Sequence, residues 1–135
     1  GGVDLVTIDM AWTRQRLAVP AALAWLPPAA TDGGDPSPGA ARADVAAEGA
    51  IPARRAAARI VSLVKPHYEL EPAEKSERLV EGRLDPDVAA DVARRTVGAL
   101  EGVAVLGLER SPVTGGKSSR RGRGNVEFLA LLRPT

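Results

Sequence analysis

Three short apolar runs constrain most strongly what this chain can fold into. They are VDLVTIDM at residues 3–10, IVSLVK at 60–65 and NVEFLALL at 125–132. Nearly unbroken Val, Ile and Leu of this kind is typical of strands buried on both faces of an α/β sheet. Asp9 lies near the end of the first run, Lys65 ends the second, and Glu127 lies near the start of the third. Since a charge belongs where a strand emerges, the pattern predicts an active site along one sheet edge.

Length and composition bound the possible classes of protein. The chain has 135 residues and is 44% hydrophobic, which suits one domain with a core of Val, Leu, Ile and Ala. Its 18 Lys and Arg against 17 Asp and Glu give a net charge of +1, so overall charge indicates no class of partner. The absence of cysteine excludes disulfides, thiolate metal ligands and a cysteine nucleophile.

The sequence also leads to two expectations, one on where the protein is located and one on whether the chain is a whole domain. It contains no apolar stretch of the roughly 18 residues needed to span a membrane, and no secretion signal opens it, so we expect a cytoplasmic protein. Gly1 and Gly2 lead directly into a strand of the buried type. Because such a strand needs neighbours on both sides, we expect this chain to be the C-terminal part of a larger α/β domain.

The first helix is predicted over residues 14–26. Thr13 is its expected N-cap, Pro20 is expected to kink it or delay its start, and prolines 27 and 28 end it. Its apolar face is predicted from residues at helical spacing, namely Leu17, Ala21, Ala24 and Trp25.

A second helix has stronger local signals. Asp85 is its expected N-cap, Pro86 its first residue, and Gly102 lies just past its end. Its narrow face of small residues suits packing on a sheet: Ala89, Val92, Ala93, Thr96 and Leu100. Before it, residues 66–84 are expected to be irregular with a helical turn near 73–79.

Two segments are predicted to be loops. Residues 27–57 are rich in Ala, Pro, Gly and Asp and poor in large apolar side chains, so we expect a disordered, exposed insertion. Residues 112–124 form a flexible basic loop that suits phosphate contacts on RNA, although a merely solvated loop explains it equally well. The candidate RNA-binding residues of this loop are Lys117, Arg120, Arg121 and Arg123.

The order of elements predicts a topology. Strands at 3–10, 59–65, 103–108 and 126–132 alternate with the helices until the last two, which are expected to pair antiparallel. This order is typical of the second half of a doubly wound sheet with a reversed final strand. If the final strand lies beside the one that ends at Lys65, then Asp9, Lys65 and Glu127 form one row at the ligand-binding edge.

Four sequence words together resemble a known family. VDLVTIDMAW, IVSLVKPHYE, DPDVAADVARR and SPVTG…GNVEF are similar to the C-terminal half of FtsJ-like methyltransferases, in particular the TlyA-like (hemolysin A-like) ribosomal RNA 2′-O-methyltransferases. The similarity covers most of the chain apart from the insertion. It implies an α/β fold, the C-terminal half of a Rossmann-like sheet with parallel strands and an antiparallel final strand. It also implies S-adenosylmethionine as cofactor and RNA, ribosomal in kind, as partner.

The resemblance assigns roles to particular residues. It maps the family's Lys-Asp-Lys-Glu set onto Asp9, Lys65 and Glu127, with Asp9 and Met10 at the cofactor. The first lysine and the glycine-rich cofactor turn would precede Gly1, so the chain is expected to be inactive alone. The insertion and the extra basic residues before Asn125 depart from the family pattern.

Elementary chemistry agrees with those residue types. A ribose hydroxyl is a poor nucleophile at neutral pH, so methyl transfer to it benefits from a base within hydrogen-bond reach. We expect Lys65 to be that base, Glu127 to orient it, and Asp9 to position lysine and methyl donor. The competing interpretation is that Asp9 caps the next helix while Lys65 and Glu127 form an ordinary surface pair.

Other motifs are weaker, and other functions stay open. TGGKSS is not a phosphate-binding loop, because that pattern needs glycine where Ser111 stands. Trp12 and Tyr68 could stack on a base or pack at the rim, and the single histidine, His67, lacks partners for a metal or a triad. The alternatives to an RNA methyltransferase are a non-catalytic RNA-binding or scaffolding relative, and a methyltransferase for a small molecule or a protein.

Overall fold

A computed structural model describes residues 2–28, 53–115 and 124–135. It shows a mixed α/β fold in which a four-stranded sheet has the order β1-β2-β6-β5 and a two-stranded hairpin lies apart from it. The strands are β1 Leu5–Ile8, β2 Arg59–Val64, β3 Leu79–Val80, β4 Arg83–Leu84, β5 Val103–Arg110 and β6 Phe128–Pro134. The helices are α1 Gln15–Leu23, α2 Pro66–Glu69, α3 Pro72–Arg78 and α4 Pro86–Gly98.

The sheet contains one parallel and two antiparallel pairs. β1 runs parallel to β2, and β6 runs antiparallel to both of its neighbours, β2 and β5. The prediction that the reversed final strand lies beside the strand ending at Lys65 is confirmed, because Val64 of β2 pairs with Phe128 of β6. The edge at which β1 and β2 end is therefore also the edge at which β6 begins.

The core lies on one face of this sheet. Phe128, Ala130 and Leu132 of β6 are buried under the helices, whereas Leu129 and Leu131 are 41% and 38% exposed on the other face. The expectation that the strands are buried on both faces is thus wrong for the described residues. Both long helices pack on the same side, because α1 and α4 contribute to a single core cluster with β2 and β6.

Helix α1 differs from its prediction in its start and in its buried face. The helix begins at Gln15, and its first N–H donates to Glu69 Oε1 at 2.9 Å, so Thr13 is not the N-cap. Val19 is buried, whereas Leu17 and Trp25 are 57% and 69% exposed. The predicted face of Leu17, Ala21, Ala24 and Trp25 is therefore the solvent face.

A buried polar contact explains this rotation of α1. Ser62 Oγ of β2 donates to Gln15 Oε1 at 2.6 Å, and Gln15 Nε2 donates to the Leu63 carbonyl at 3.2 Å. A buried amide must satisfy its hydrogen bonds, so this contact fixes which side of the helix meets the sheet. Pro20 lies on the exposed side and the helix continues through it.

Helix α4 confirms its predicted start. Asp85 Oδ1 accepts from the N–H groups of Asp87 and Val88 at 2.9 and 3.2 Å, which is the geometry of an N-cap. The helix ends at Gly98, and Gly102 follows in the turn before β5 with φ 73°. Its buried residues are Ala89, Val92, Ala93 and Val97.

Two segments were predicted to lack regular structure for most of their length, and the structure describes residues 66–84 in full but residues 27–57 only in part. Residues 73–79 were expected to be helical, and α3 confirms this, but the β3–β4 hairpin that follows was expected to be irregular. Of the insertion at 27–57, the described parts are 27–28 and a helical stretch at 53–57, where Arg54 Nε pairs with Asp4 Oδ1 at 2.6 Å. The rest of the insertion lies outside the described residues.

Candidate active site

Asp9 and Lys65 meet at the carboxyl edge of the parallel pair. Each residue directly follows its strand, β1 or β2, and Lys65 Nζ donates to Asp9 Oδ1 at 2.6 Å. The adjacent register of the two parallel strands, in which Ile8 pairs with Ser62, brings the residues after them to one place. The structure therefore joins the first two predicted site residues in a direct ion pair.

Glu127 belongs to the same place. It immediately precedes β6, whose first residue, Phe128, pairs with Val64, the residue before Lys65. Paired residues of antiparallel strands lie about 4.5 to 5.5 Å apart between Cα atoms, so Lys65 and Glu127 each lie one residue beyond a close pair. The charges of Lys65 and Asp9 both act on the Glu127 carboxylate. All three predicted residues therefore lie along one short stretch of sheet edge, hereafter the rim.

Burial differs sharply among the three rim residues. The Lys65 side chain is 16% exposed, the Asp9 side chain 71%, and Glu127 as a whole residue 7%. Burial raises the pKa of Glu127; the positive charge of Lys65 opposes this rise, and the negative charge of Asp9 adds to it. A partly desolvated carboxylate beside a lysine is the kind of arrangement in which proton positions can be tuned.

The geometry of the rim argues against the competing interpretation, in which Asp9 caps a helix and Lys65 and Glu127 form an ordinary surface pair. Asp9 does not cap helix α1, because that helix begins at Gln15 with Arg14 at the N-cap position. Lys65 and Glu127 are also too deeply buried for an ordinary exposed pair. Surface ion pairs form between exposed side chains and contribute little.

Two glycines create the space that Glu127 occupies. Gly115 and Asn125 form an isolated bridge, with N–H to carbonyl distances of 2.9 and 3.0 Å, that closes the base of the basic loop. A Cβ on Gly115 would collide with the Glu127 carboxylate, and one on Gly124 would collide with the Gly115 backbone. Sequence reasoning missed this role, although the two glycines that flank the loop were the available signal.

His67 lies directly after the rim lysine. Burial, followed by the nearby positive charges of Lys65 and Lys75, lowers the pKa of His67 to about 4. Its ring packs on Tyr68 with centroids 4.0 Å apart, and its Nδ1 is buried without a hydrogen-bond partner among the described residues. His67 is thus a neutral packing residue at pH 7. Among the described residues, no group of three His, Asp or Glu could hold a metal ion.

Exposed apolar side chains lie on the Asp9 side of the rim. Met10 is 47% exposed and Trp12 is 82% exposed, immediately after Asp9. Asp9 Oδ2 has no hydrogen-bond partner within the described ranges, since Lys65 binds only Oδ1. A carboxylate beside exposed apolar surface suits a ligand that carries both positive charge and an aromatic ring.

Some predicted elements of the site are outside what the structure describes. The candidate RNA-binding residues of the basic loop all fall in the range 116–123, between the described residues Gly115 and Gly124: Lys117, Arg120, Arg121 and Arg123. Their role stays a prediction. Within the described ranges, no helix is long and apolar enough to cross a membrane.

Comparisons with known proteins find two longer proteins, part of which has a similar fold. The chain matches no protein-family model and no curated protein. It is similar to a solved structure described as "Putative hemolysin from Streptococcus thermophilus", with TM-score 0.60 and 26% identity. It is also similar to "a putative hemolysin from Lactococcus lactis", with TM-score 0.58 and 23% identity. Each alignment covers 98% of this chain but only 35% and 47% of those proteins, so the chain corresponds in fold to part of two longer proteins described as hemolysins.

Proposed function

We propose that this chain carries the catalytic rim of an S-adenosylmethionine-dependent 2′-O-methyltransferase that acts on RNA, ribosomal RNA in particular. The observation that supports it most is the convergence of Asp9, Lys65 and Glu127 from three separate strand ends. Both structural neighbours are described as putative hemolysins, which agrees with the similarity of the four sequence segments to hemolysin A-like methyltransferases. The proposed activity also requires cofactor-binding elements in addition to this rim.

The rim residues fit the cofactor. S-adenosylmethionine supplies a methyl group on a positively charged sulfur when it is bound. Asp9, with one oxygen free among the described residues, would hold a positively charged part of it, and the exposed side chain of Met10 would lie against its apolar part. This is the edge at which open α/β sheets bind ligands.

Lys65 acts as the base in this proposal. Its amine would accept the proton of the ribose 2′-hydroxyl while that oxygen takes the methyl group that the bound cofactor would supply. Asp9 holds the Lys65 Nζ in place at 2.6 Å. Glu127, buried beside it, limits the rotamers that the lysine can adopt.

The charge state of Lys65 is the main requirement of this mechanism. An ammonium group cannot accept a proton, so this step requires the neutral amine. Burial raises the pKa of Glu127, which favours its uncharged form and so lessens the negative charge around the amine. A second cation at the rim would favour the neutral amine, and the resemblance places such a lysine upstream of Gly1.

Replacement of Lys65 tests this function in the complete protein that contains the chain. Lys65→Ala should lower the rate of methyl transfer to RNA by at least about 100-fold, because a positioned base contributes about that much. Cofactor binding, measured by calorimetry, should be retained. Lys75→Ala is the matched control, since Lys75 lies on α3 and has no ion pair in the described residues.

Two results would contradict the proposal. Lys65→Ala with wild-type activity would remove this lysine from the mechanism. A wild-type protein that binds RNA but neither binds the cofactor nor methylates any RNA would instead favour a non-catalytic RNA-binding relative.

A further inference from the structure

A cavity of about 370 Å³ opens beside the rim and has no part in the chemistry described above. Its walls include Arg78 at the end of α3, Arg83 in β4, and Gly124 and Val126 from the segment that leads into Glu127. Val126 directly precedes Glu127 in the chain. The cavity that holds the two arginines therefore adjoins the segment that carries Glu127, without including any of the three rim residues.

The arginine-bearing hairpin is fixed to the rim. Asn125 Oδ1 accepts from the Leu84 N–H at 2.9 Å, and Asn125 Nδ2 donates to the Gly82 carbonyl at 3.0 Å. The backbone of Asn125 is paired with Gly115, which lies against Glu127. The Asn125 side chain thus connects the β3–β4 hairpin to the segment that positions Glu127. These hydrogen bonds fix the position of the hairpin relative to the rim.

Both guanidinium groups are available to a ligand. Arg78 has no ion-pair partner in the described ranges, and Arg83 reaches Glu81 at 3.3 Å in a pair whose side chains are 44% and 80% exposed. Such an exposed pair holds its arginine weakly. Asp85 also lines the cavity, where its Oδ1 accepts two N–H groups at the start of α4, and the two arginines outnumber its single negative charge.

We propose that Arg78 and Arg83 bind backbone phosphates of the RNA beside the ribose that is presented to Lys65. This inference rests on the proposed function and adds the part of the substrate that lies next to the reacting sugar. Guanidinium groups bind phosphate oxygens in a bidentate manner, and such contacts orient a strand without reading its sequence. The arginines would therefore fix the register of the RNA, while rim residues act on one hydroxyl.

A double substitution tests the phosphate site. Arg78→Gln with Arg83→Gln should lower the affinity for a fluorescent single-stranded RNA, and the slope of log affinity against log salt should fall by about 0.7 for each phosphate that the variant no longer binds. Because these arginines are remote from the reacting atoms, KM for RNA should rise at least about tenfold while kcat at saturating RNA stays within about twofold.

Arg94→Gln is the matched control for charge. Arg94 lies on the exposed side of α4 and pairs with Asp91 at 2.6 Å, away from the cavity, so its removal should leave the salt slope unchanged. An unchanged slope in the double variant, or an equal fall in the control, would overturn the phosphate site. So would arginine-dependent binding of an acidic peptide by a protein that binds no RNA.

The outcomes separate this inference from the proposed function. Lys65→Ala should keep the wild-type salt slope because it removes the base and leaves the cavity arginines intact. If the slope depends on Arg78 and Arg83 while no RNA is methylated, the phosphate site is retained and the methyltransferase proposal fails. If methylation requires Lys65 but the salt slope is unchanged in the double arginine variant, only the proposal of the phosphate site is contradicted.

Discussion

Glu127 depends for its position on residues that have no functional group of their own. Its buried carboxylate fits because Gly115 has no side chain, and Gly115 in turn can approach because Gly124 has none. Ser111 N–H donates to the Glu127 carbonyl at 2.8 Å and fixes the backbone at the same point. The chemical role proposed for Glu127 is thus supported by a local packing requirement that is easy to perturb.

A methyl group on Gly115 should separate activity from stability. Gly115→Ala places a Cβ where the Glu127 carboxylate lies, so that side chain must move away from Lys65. We expect methyl transfer in the complete protein to fall by about 100-fold, because small misplacements of catalytic geometry have effects of that size. The free energy of unfolding should change by about 1 kcal/mol or less, since a side-chain end can move. Gly107→Ala, where a Cβ meets nothing within 4 Å, is the control; equal activity in both variants would contradict the argument.

The burial of Glu127 should be visible in the pH dependence of stability. Burial raises its pKa above the ordinary value of 4.5, so the folded chain binds this proton more tightly than the unfolded chain. The contribution to stability is therefore complete below about pH 4.5 and is lost as the pH rises through the raised pKa. Glu127→Gln lacks this loss, so its free energy of unfolding should gain on wild type as the pH rises from about 4.5 toward neutral.

Chemical denaturation across that pH range measures the gain. Glu101→Gln, at an exposed position, should show no comparable trend. A constant difference between Glu127→Gln and wild type over the whole range would show that the carboxylate is not desolvated.

The sequence predicted the rim but not its support. Asp9, Lys65 and Glu127 could be found because a charge at the end of an apolar run has few explanations. Gly115 could not be assigned, because its function depends on a contact with Glu127 across the basic loop. Contacts of this kind follow from packing and have no pattern along the chain.

At the scale of elements, signals next to the start of a helix predicted that start correctly, whereas helical spacing alone predicted the wrong buried face. Helix α4 was predicted correctly at its start because Asp85 and Pro86 act on the backbone next to them. The buried face of helix α1 was predicted wrongly. Apolar residues lie on both sides of this helix, so their spacing alone does not indicate which side is buried. The choice depends on the buried contact between Gln15 and Ser62, which joins residues far apart in the chain.

The β3–β4 hairpin was missed for a different reason. Its strands have two residues each, too few for an alternating pattern, and its turn at Glu81 and Gly82 has positive φ at both residues, 51° and 74°. This turn shape is typical of two-residue hairpins and is usually signalled by Asn or Asp before Gly. Because Glu81 occupies the first position of the turn, the sequence lacks this signal. The hairpin is nevertheless the element that brings Arg83 to the cavity beside the rim.

At the scale of the molecule, the sheet has an apolar face that the described residues do not cover. Leu5, Leu129 and Leu131 are all exposed there, at 55%, 41% and 38%. The apolar runs indicated strands covered on both sides, and helices cover only one. Sheets of this composition pack between two layers, so the face suits a further layer of structure. The chain spans 35% and 47% of the two neighbours, which have additional residues.

Two adjacent leucines of β6 give a measure of this one-sided burial. Leu132→Ala should lower the free energy of unfolding of this chain by about 2 to 5 kcal/mol, because Leu132 is fully buried in the core. Leu131→Ala should lower it by only about 1 kcal/mol, because Leu131 faces the uncovered side. Denaturant unfolding of both variants tests the difference, with equal m-values required. Equal losses in this chain would show that the second face is covered. If a longer polypeptide covers that face, the loss for Leu131→Ala should rise in that polypeptide toward the value for Leu132→Ala, because the same methyl groups would then leave a cavity.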